Sequence, residues 1–222
     1  MERSVQQFAI DIEPQLTVSA ILVRPPQARI CFVFAHGAGA GMTHAFMENA
    51  AQGLASRHVA TLRYQFPYME LGKKRTDTPP TAHAAVRAAV AHAAQLFGPL
   101  RLFAGGKSFG ARMTSQAQAI EPLPQVEGLI FVGFPLHPAG EPASSRADHL
   151  SKVQVPMLFI QGTKDKLADL DLLSPVVDSL GSRATLMTID QADHSFHVLK
   201  RSGRDDAAVL VEVLDGIARW IG

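Results

Sequence analysis

The feature that most limits what this chain can become is an alternation. Short runs rich in β-branched and aromatic residues take turns with longer Ala- and Leu-rich segments of helical period. Ile30–Ala35, Val59–Tyr64, Leu100–Gly105, Val126–Gly133, Pro156–Gln161 and Ala184–Ile189 read as strands. The first of these is an unbroken apolar run, as in a strand buried on both faces. Thr43–Ser56, Pro80–Phe97, Phe109–Ile120, Ser174–Leu180 and Asp205–Ile221 read as helices. Thr43 suits an N-cap, Pro80 fits a first turn, and Gly98-Pro99 stops the helix before it. Val209, Val213, Ile217 and Trp220 lie along one stripe of the last helix. Repeated strand–helix units predict a mainly parallel sheet, covered by helices on both faces and connected right-handedly. Upstream, Phe8–Ile12 and Leu16–Val23 flank the turn Glu13-Pro14-Gln15 and read as an antiparallel pair. The expected fold class is therefore α/β: a three-layer α/β/α sandwich in a single domain over residues 1–222, with an antiparallel N-terminal strand pair.

Composition allows this and excludes several alternatives. Apolar residues make up 47% of the 222 and charged residues 18%, enough for a sizeable core and too apolar for disorder. With 21 basic and 20 acidic side chains, the formal charge is +1. Apart from Lys73-Lys74-Arg75 there is no basic block of the kind that binds nucleic acid, so no nucleic-acid partner is expected. The one cysteine, Cys31, sits in the apolar run Ile30–Ala35 and reads as a buried, inert thiol. The start, Met1-Glu2-Arg3-Ser4, lacks a signal-peptide pattern, and no apolar run approaches the roughly 20 residues needed to cross a bilayer. A cytoplasmic protein with no membrane partner is expected.

In a doubly covered parallel sheet, chemistry sits beyond the carboxyl ends of the strands. One motif falls there. Gly106-Lys107-Ser108-Phe109-Gly110 matches G-x-S-x-G between a strand and a helix. Such a turn forces its serine into unusual backbone angles and crowds the residues two before and two after, which favours glycine at both. The hydroxyl then projects clear of the backbone, and the following helix aims its N–H groups at the same point. Gly105 and Ala111 widen the zone of small residues.

A serine hydroxyl needs a base. Among nine histidines, His194 in Ala192-Asp193-His194-Ser195-Phe196 lies after the last strand and before the closing helix, where chain order Ser…Asp…His puts the base. His197 is its nearest rival, and a metal pair of the two lacks a third ligand, so no metal or cofactor is expected. Asp165, directly after the strand Pro156–Gln161, is the candidate to hold the imidazole. Asp169 and Asp171 are placed to open the next helix instead. Asp193, adjacent to the base, is poorly placed to face it.

Acyl transfer builds negative charge on a carbonyl oxygen, which backbone N–H groups can receive. The loop His36-Gly37-Ala38-Gly39-Ala40-Gly41 follows the strand Ile30–Ala35, and its glycines let backbone approach a ligand. Ala38 and Phe109 are the expected oxyanion donors. His36 reads as a brace for the loop. The competing phosphate-loop interpretation fails because this loop does not end in Gly-Lys-Ser/Thr.

On these residues the chain resembles the α/β-hydrolase superfamily over nearly its full length. Gly105-Gly106-Lys107-Ser108-Phe109-Gly110-Ala111-Arg112, the Phe32–Gly41 loop, Phe66-Pro67-Tyr68, the Gly162–Asp165 turn and Ala192-Asp193-His194 are similar to a small, lidless subgroup. That subgroup is related to dienelactone-hydrolase-like proteins and to the hydrolase-like domain of a subunit of the NSL histone-acetyltransferase complex. The resemblance implies an α/β-hydrolase fold without a cap domain, with Ser108, Asp165 and His194 as nucleophile, acid and base. A serine stands where dienelactone hydrolases carry a cysteine. The expected activity is a serine hydrolase cleaving a small acyl substrate, an ester or thioester. A peptidase or amidase, and a non-enzymatic interaction module on the same fold, are the alternatives. Two long connections, Gln65–Pro79 and Phe134 to about Lys152, are too short for a lid. The first carries Lys73, Lys74 and Arg75, either a solvated run or a lure for an anionic substrate.

Overall fold

The computed structural model describes residues 4–98 and 100–222. One eight-stranded sheet runs through them, built from β1 (Ser4–Glu13), β2 (Leu16–Arg24), β3 (Ile30–Ala35), β4 (Val59–Tyr64), β5 (Arg101–Lys107), β6 (Val126–Val132), β7 (Met157–Gly162) and β8 (Ala184–Ile189). Their order is β1-β2-β4-β3-β5-β6-β7-β8. β1 pairs antiparallel with β2, and β2 with β4; every pairing from β4 through β8 is parallel.

Strand alternation decides which layer each side chain joins. In β3, Cys31, Val33 and Ala35 face one core, while Phe32 and Phe34 face the other. Helices α3 (Pro79–Phe97), α4 (Phe109–Ile120) and α5 (Leu170–Ser179) cover the first face. Helices α1 (Ala45–Ala55) and α6 (Asp206–Ile221) cover the second through Met47, Leu54, Val213 and Leu214. The three layers and the antiparallel N-terminal pair agree with expectation. Burial pushes the Cys31 thiol up to about 12, so it is inert as read from sequence.

Several boundaries move. α1 starts at Ala45 with His44 as N-cap, its Nδ1 accepting the N–H of Phe46 at 3.2 Å, so Thr43 lies outside the helix. The expected helix Ser174–Leu180 begins earlier, at Leu170. Asp169 caps it by accepting the N–H of Asp171 at 3.0 Å, and burial of Leu173 and Val177 carries the helix through Pro175. Pro175 lies inside the helix, and apolar anchoring outweighs its missing N–H. The connection Gln65–Pro79 contains a single helical turn, α2 (Pro67–Glu70), and a 3₁₀ segment spans Ser145–Lys152. Pro99, expected to help stop α3, and Met1, Glu2 and Arg3 of the N-terminal reading lie outside the described residues. No helix among the described residues is long and apolar enough to cross a membrane.

The topology singles out one place. After β3 the chain crosses to β4 on one side, and after β5 it crosses to β6 on the other. The loops leaving these two neighbours diverge and open a crevice at their carboxyl ends, the position where open α/β sheets bind ligands.

Candidate active site

The G-x-S-x-G turn occupies that crevice. Ser108 has φ +51° and ψ −111°, a strained conformation for a residue with a Cβ. Both glycines are explained by the carbonyl oxygen of Ala35, at the end of β3. A Cβ on Gly106 or on Gly110 would stand 2.6 Å from it. Turn and helix are thus pressed against the neighbouring strand, which aims Ser108 outward. Ser108 donates its N–H to the Val132 carbonyl at 3.1 Å, tying the elbow to β6.

Asp165 and His194 arrive on the loops after β7 and β8. These loops are joined through their backbones: Lys164 donates to the Ala192 carbonyl at 2.9 Å, and Thr163 to the Ile189 carbonyl at 3.0 Å. A Cβ on Gly162 would stand 2.2 Å from the Ala192 oxygen, so only glycine permits the approach. Asp193, beside the base, instead accepts the N–H groups of Ser195 at 2.8 Å and His197 at 3.0 Å, shaping the turn that presents His194. His197 faces away and pairs with Asp206 at 2.9 Å.

The structure brings the three sequence-predicted residues into one line. His194 Nε2 lies 2.7 Å from Ser108 Oγ, and His194 Nδ1 lies 2.7 Å from Asp165 Oδ2. The Asp165 side chain is fully buried, and that of His194 is 22% exposed. The second Asp165 oxygen accepts the Leu167 N–H at 2.7 Å. With both Asp165 oxygens acting as acceptors, Nδ1 carries the proton and Nε2 is left to accept from the serine hydroxyl.

Sequence reasoning missed Gln161, the buried last polar position of the apolar strand β7. Its Nε2 donates to Asp165 Oδ2, while its Oε1 accepts the Phe134 N–H at 2.9 Å. The amide is thus fixed at both ends and orients the carboxylate. A glutamine interrupting Met-Leu-Phe-Ile was the available signal. Lys107, inside the motif, was also passed over.

The loop after β3 closes the other side. Ala38 lines the cleft beside Ser108. Phe109 opens α4, so its N–H is among those a helix leaves without an intrahelical acceptor. His36 braces this loop as expected. Its Nδ1 donates to the Gly37 carbonyl at 2.7 Å, and its Nε2 accepts the Phe66 N–H at 3.0 Å. Tyr68 adds a second brace, its hydroxyl accepting the Gly39 N–H at 2.8 Å. The cleft has a volume of about 390 Å³, with Ala40, Phe46, Met47 and Leu167 giving it apolar walls. Lys73, Lys74 and Arg75 are exposed and do not line it, which favours the solvated-run interpretation.

Burial lowers the His36 pKa from 6.5 to about 4, against the opposing bond to Gly37. A second proton would also turn Nε2 from an acceptor into a donor facing the Phe66 N–H. The folded pKa is below the unfolded one, so the contribution is complete above pH 6.5. It is lost as pH falls toward 4. Between pH 8 and pH 5 the wild type is expected to lose about 2 kcal/mol of stability from this group. His36→Gln should remove that part of the slope in urea melts; equal slopes for the two proteins would refute the assignment.

Fold and site together define the class. Residues 28–222 match the family model described as an alpha/beta hydrolase domain, and the chain belongs to that family. Its fold is close to that of dienelactone hydrolase from Anabaena variabilis, with TM-score 0.78, 18% identity, and 99% of this chain and 97% of that chain covered. It is similarly close to a lidless α/β serine hydrolase from Xanthomonas campestris, with TM-score 0.76, 20% identity and coverage of 99% and 96%. An α/β serine hydrolase homologue from Coxiella burnetii aligns with TM-score 0.77, 18% identity and coverage of 98% and 97%.

Proposed function

We propose that this protein is a serine hydrolase that cleaves a small ester or thioester through an acyl-enzyme. The observation that carries this reading is the unbroken hydrogen-bonded line from Ser108 Oγ through both nitrogens of His194 to Asp165, each contact 2.7 Å. In the first half-reaction His194 Nε2 takes the hydroxyl proton as Oγ bonds to the acyl carbon. The carbonyl π-electrons move to oxygen, where the N–H groups of Ala38 and Phe109 receive the charge. The tetrahedral adduct collapses, the bond to the alcohol or thiol breaks, and the imidazolium returns its proton to the leaving group. In the second half-reaction water repeats the attack with His194 again as base. It releases the acid and restores Ser108. Asp165 stays ionised throughout and stabilises the imidazolium.

The apolar, modest cleft supports acyl groups of small size. With p-nitrophenyl acetate in excess, a burst of about one p-nitrophenolate per protein is expected before the slower steady rate. The peptide carrying Ser108 should gain an acetyl group when the reaction is quenched with acid. A folded sample that gives neither a burst nor reaction with a fluorophosphonate would sink the enzymatic reading. Faster turnover of the matching p-nitroanilide would redirect it to an amidase.

A further inference from the structure

Lys107 stands one residue before the nucleophile, and its side chain runs inward. Its Cγ lies 3.6 Å from where a Cβ on Gly37 would stand, and its Nζ donates to the main-chain oxygen of His194 at 2.6 Å. The rings of Phe46 and Phe196 lie 5.9 and 5.3 Å from the ammonium. Space for it comes from Gly133, at φ +71°, which ends β6. A Cβ there would sit 3.2 Å from Nζ and 3.6 Å from Cε1 of the His194 imidazole. Ammonium and imidazole therefore border the same small gap.

The charged and titratable groups around Nζ are few. Asp165 faces it from the loop after β7, and Asp193 and His194 from the loop after β8; His44, at the start of α1, lines the same cleft. Desolvation pulls the lysine down to about 8, with Asp165 and Asp193 acting in the opposite direction, so the group carries its charge at neutral pH. A general base has two requirements at rest: its ring must be aimed, and it must be unprotonated. Asp165 meets the first; a cation beside the ring serves the second, because like charges disfavour one another.

We propose that Lys107 is a positioning residue for the catalytic base: its ammonium holds the main-chain carbonyl of His194 and, as a neighbouring cation, opposes protonation of the ring at rest. This rests on the reading of Ser108, His194 and Asp165 as a triad.

Three variants separate the contributions. Lys107→Met removes donor and charge, Lys107→Gln keeps a donor without charge, and Lys107→Arg keeps the charge. Rates on p-nitrophenyl acetate are followed from about pH 5 to about pH 9, with fluorophosphonate labelling of the wild type alongside. Lys107→Met is expected to lower kcat about 10- to 100-fold with little change in KM, since the base is misplaced rather than the substrate. The acid limb of kcat/KM should move to higher pH by about 0.5–1 unit in Lys107→Met and Lys107→Gln, because a nearby cation no longer opposes the proton. Lys107→Arg should leave that limb in place, and Lys107→Gln should lose less kcat than Lys107→Met. Should Lys107→Met fail to fold, Lys107→Gln supplies the decisive limb. Folded Gln and Met variants with an unmoved limb and unchanged kcat overturn the proposal. If the wild type still labels at Ser108 in that case, the triad stands without it; a wild type that does not label removes both.

Discussion

Ser108→Ala is expected to lower kcat on an activated ester by about 10⁵- to 10⁶-fold, the loss typical of removing the nucleophile from a unit that works only as a whole. The burst should vanish and fluorophosphonate labelling should stop. The proposed oxyanion donors and the cleft remain, so a residual rate about 10³- to 10⁴-fold above water is compatible with the proposed mechanism. Stability should change little. The lost hydroxyl is partly exposed, and its departure leaves His194 Nε2 open to the cleft rather than buried without a partner. Stopped-flow assay of both proteins, matched by circular dichroism, reads rate and fold separately. Activity within tenfold of the wild type in a folded Ser108→Ala sample would move the chemistry elsewhere.

Gly105→Ala should be as damaging to folding as the first variant is to turnover. The new Cβ would stand 1.9 Å from the carbonyl oxygen of Ile130 and 2.8 Å from its carbon. Those atoms belong to β6, paired with β5 at this residue in the middle of the sheet. No rotamer change relieves an overlap with backbone, so a strand must shift and ladder bonds must break. The expected loss is above about 4 kcal/mol, a large part of the roughly 5–15 kcal/mol that holds a typical domain together. Urea melts of soluble protein, or its disappearance from the soluble fraction, measure this. A midpoint unchanged from the wild type would show that the sheet opens here more readily than its packing implies.

The layered fold was legible because two periods of apolar residues, near 2 and near 3.6, alternate along the chain. Seven of the eight strands begin within a residue of where those patterns placed them, and Ile30–Ala35, Val59–Tyr64 and Ala184–Ile189 agree at both ends. Ser108, Asp165 and His194 were legible through the glycines around the first and the strand ends before the other two. What stayed hidden depends on contacts distant in sequence. Gln161 matters because Phe134 lies beside it, just past the end of the neighbouring strand β6, and Lys107 because Gly133 leaves room beneath it. Tyr68 acts through the N–H of Gly39, presented by another loop. Two helix starts, those of α1 and α5, failed for a local reason. His44 and Asp169 cap through bonds that composition alone does not rank above starts at Thr43 or Ser174.

Main-chain bonds knit the segment carrying Asp165 to the one carrying His194, whereas Ser108 is delivered by the elbow after β5. In the proposed mechanism the proton-handling and bond-forming halves are therefore separate main-chain units, joined by the Lys107 side chain. Substituting cysteine at position 108 alters the attacking atom while its inherited partner assembly stays intact, so a single codon suffices to explore thiol chemistry on this scaffold. Redesigning the opposite half would require two loops to change in concert.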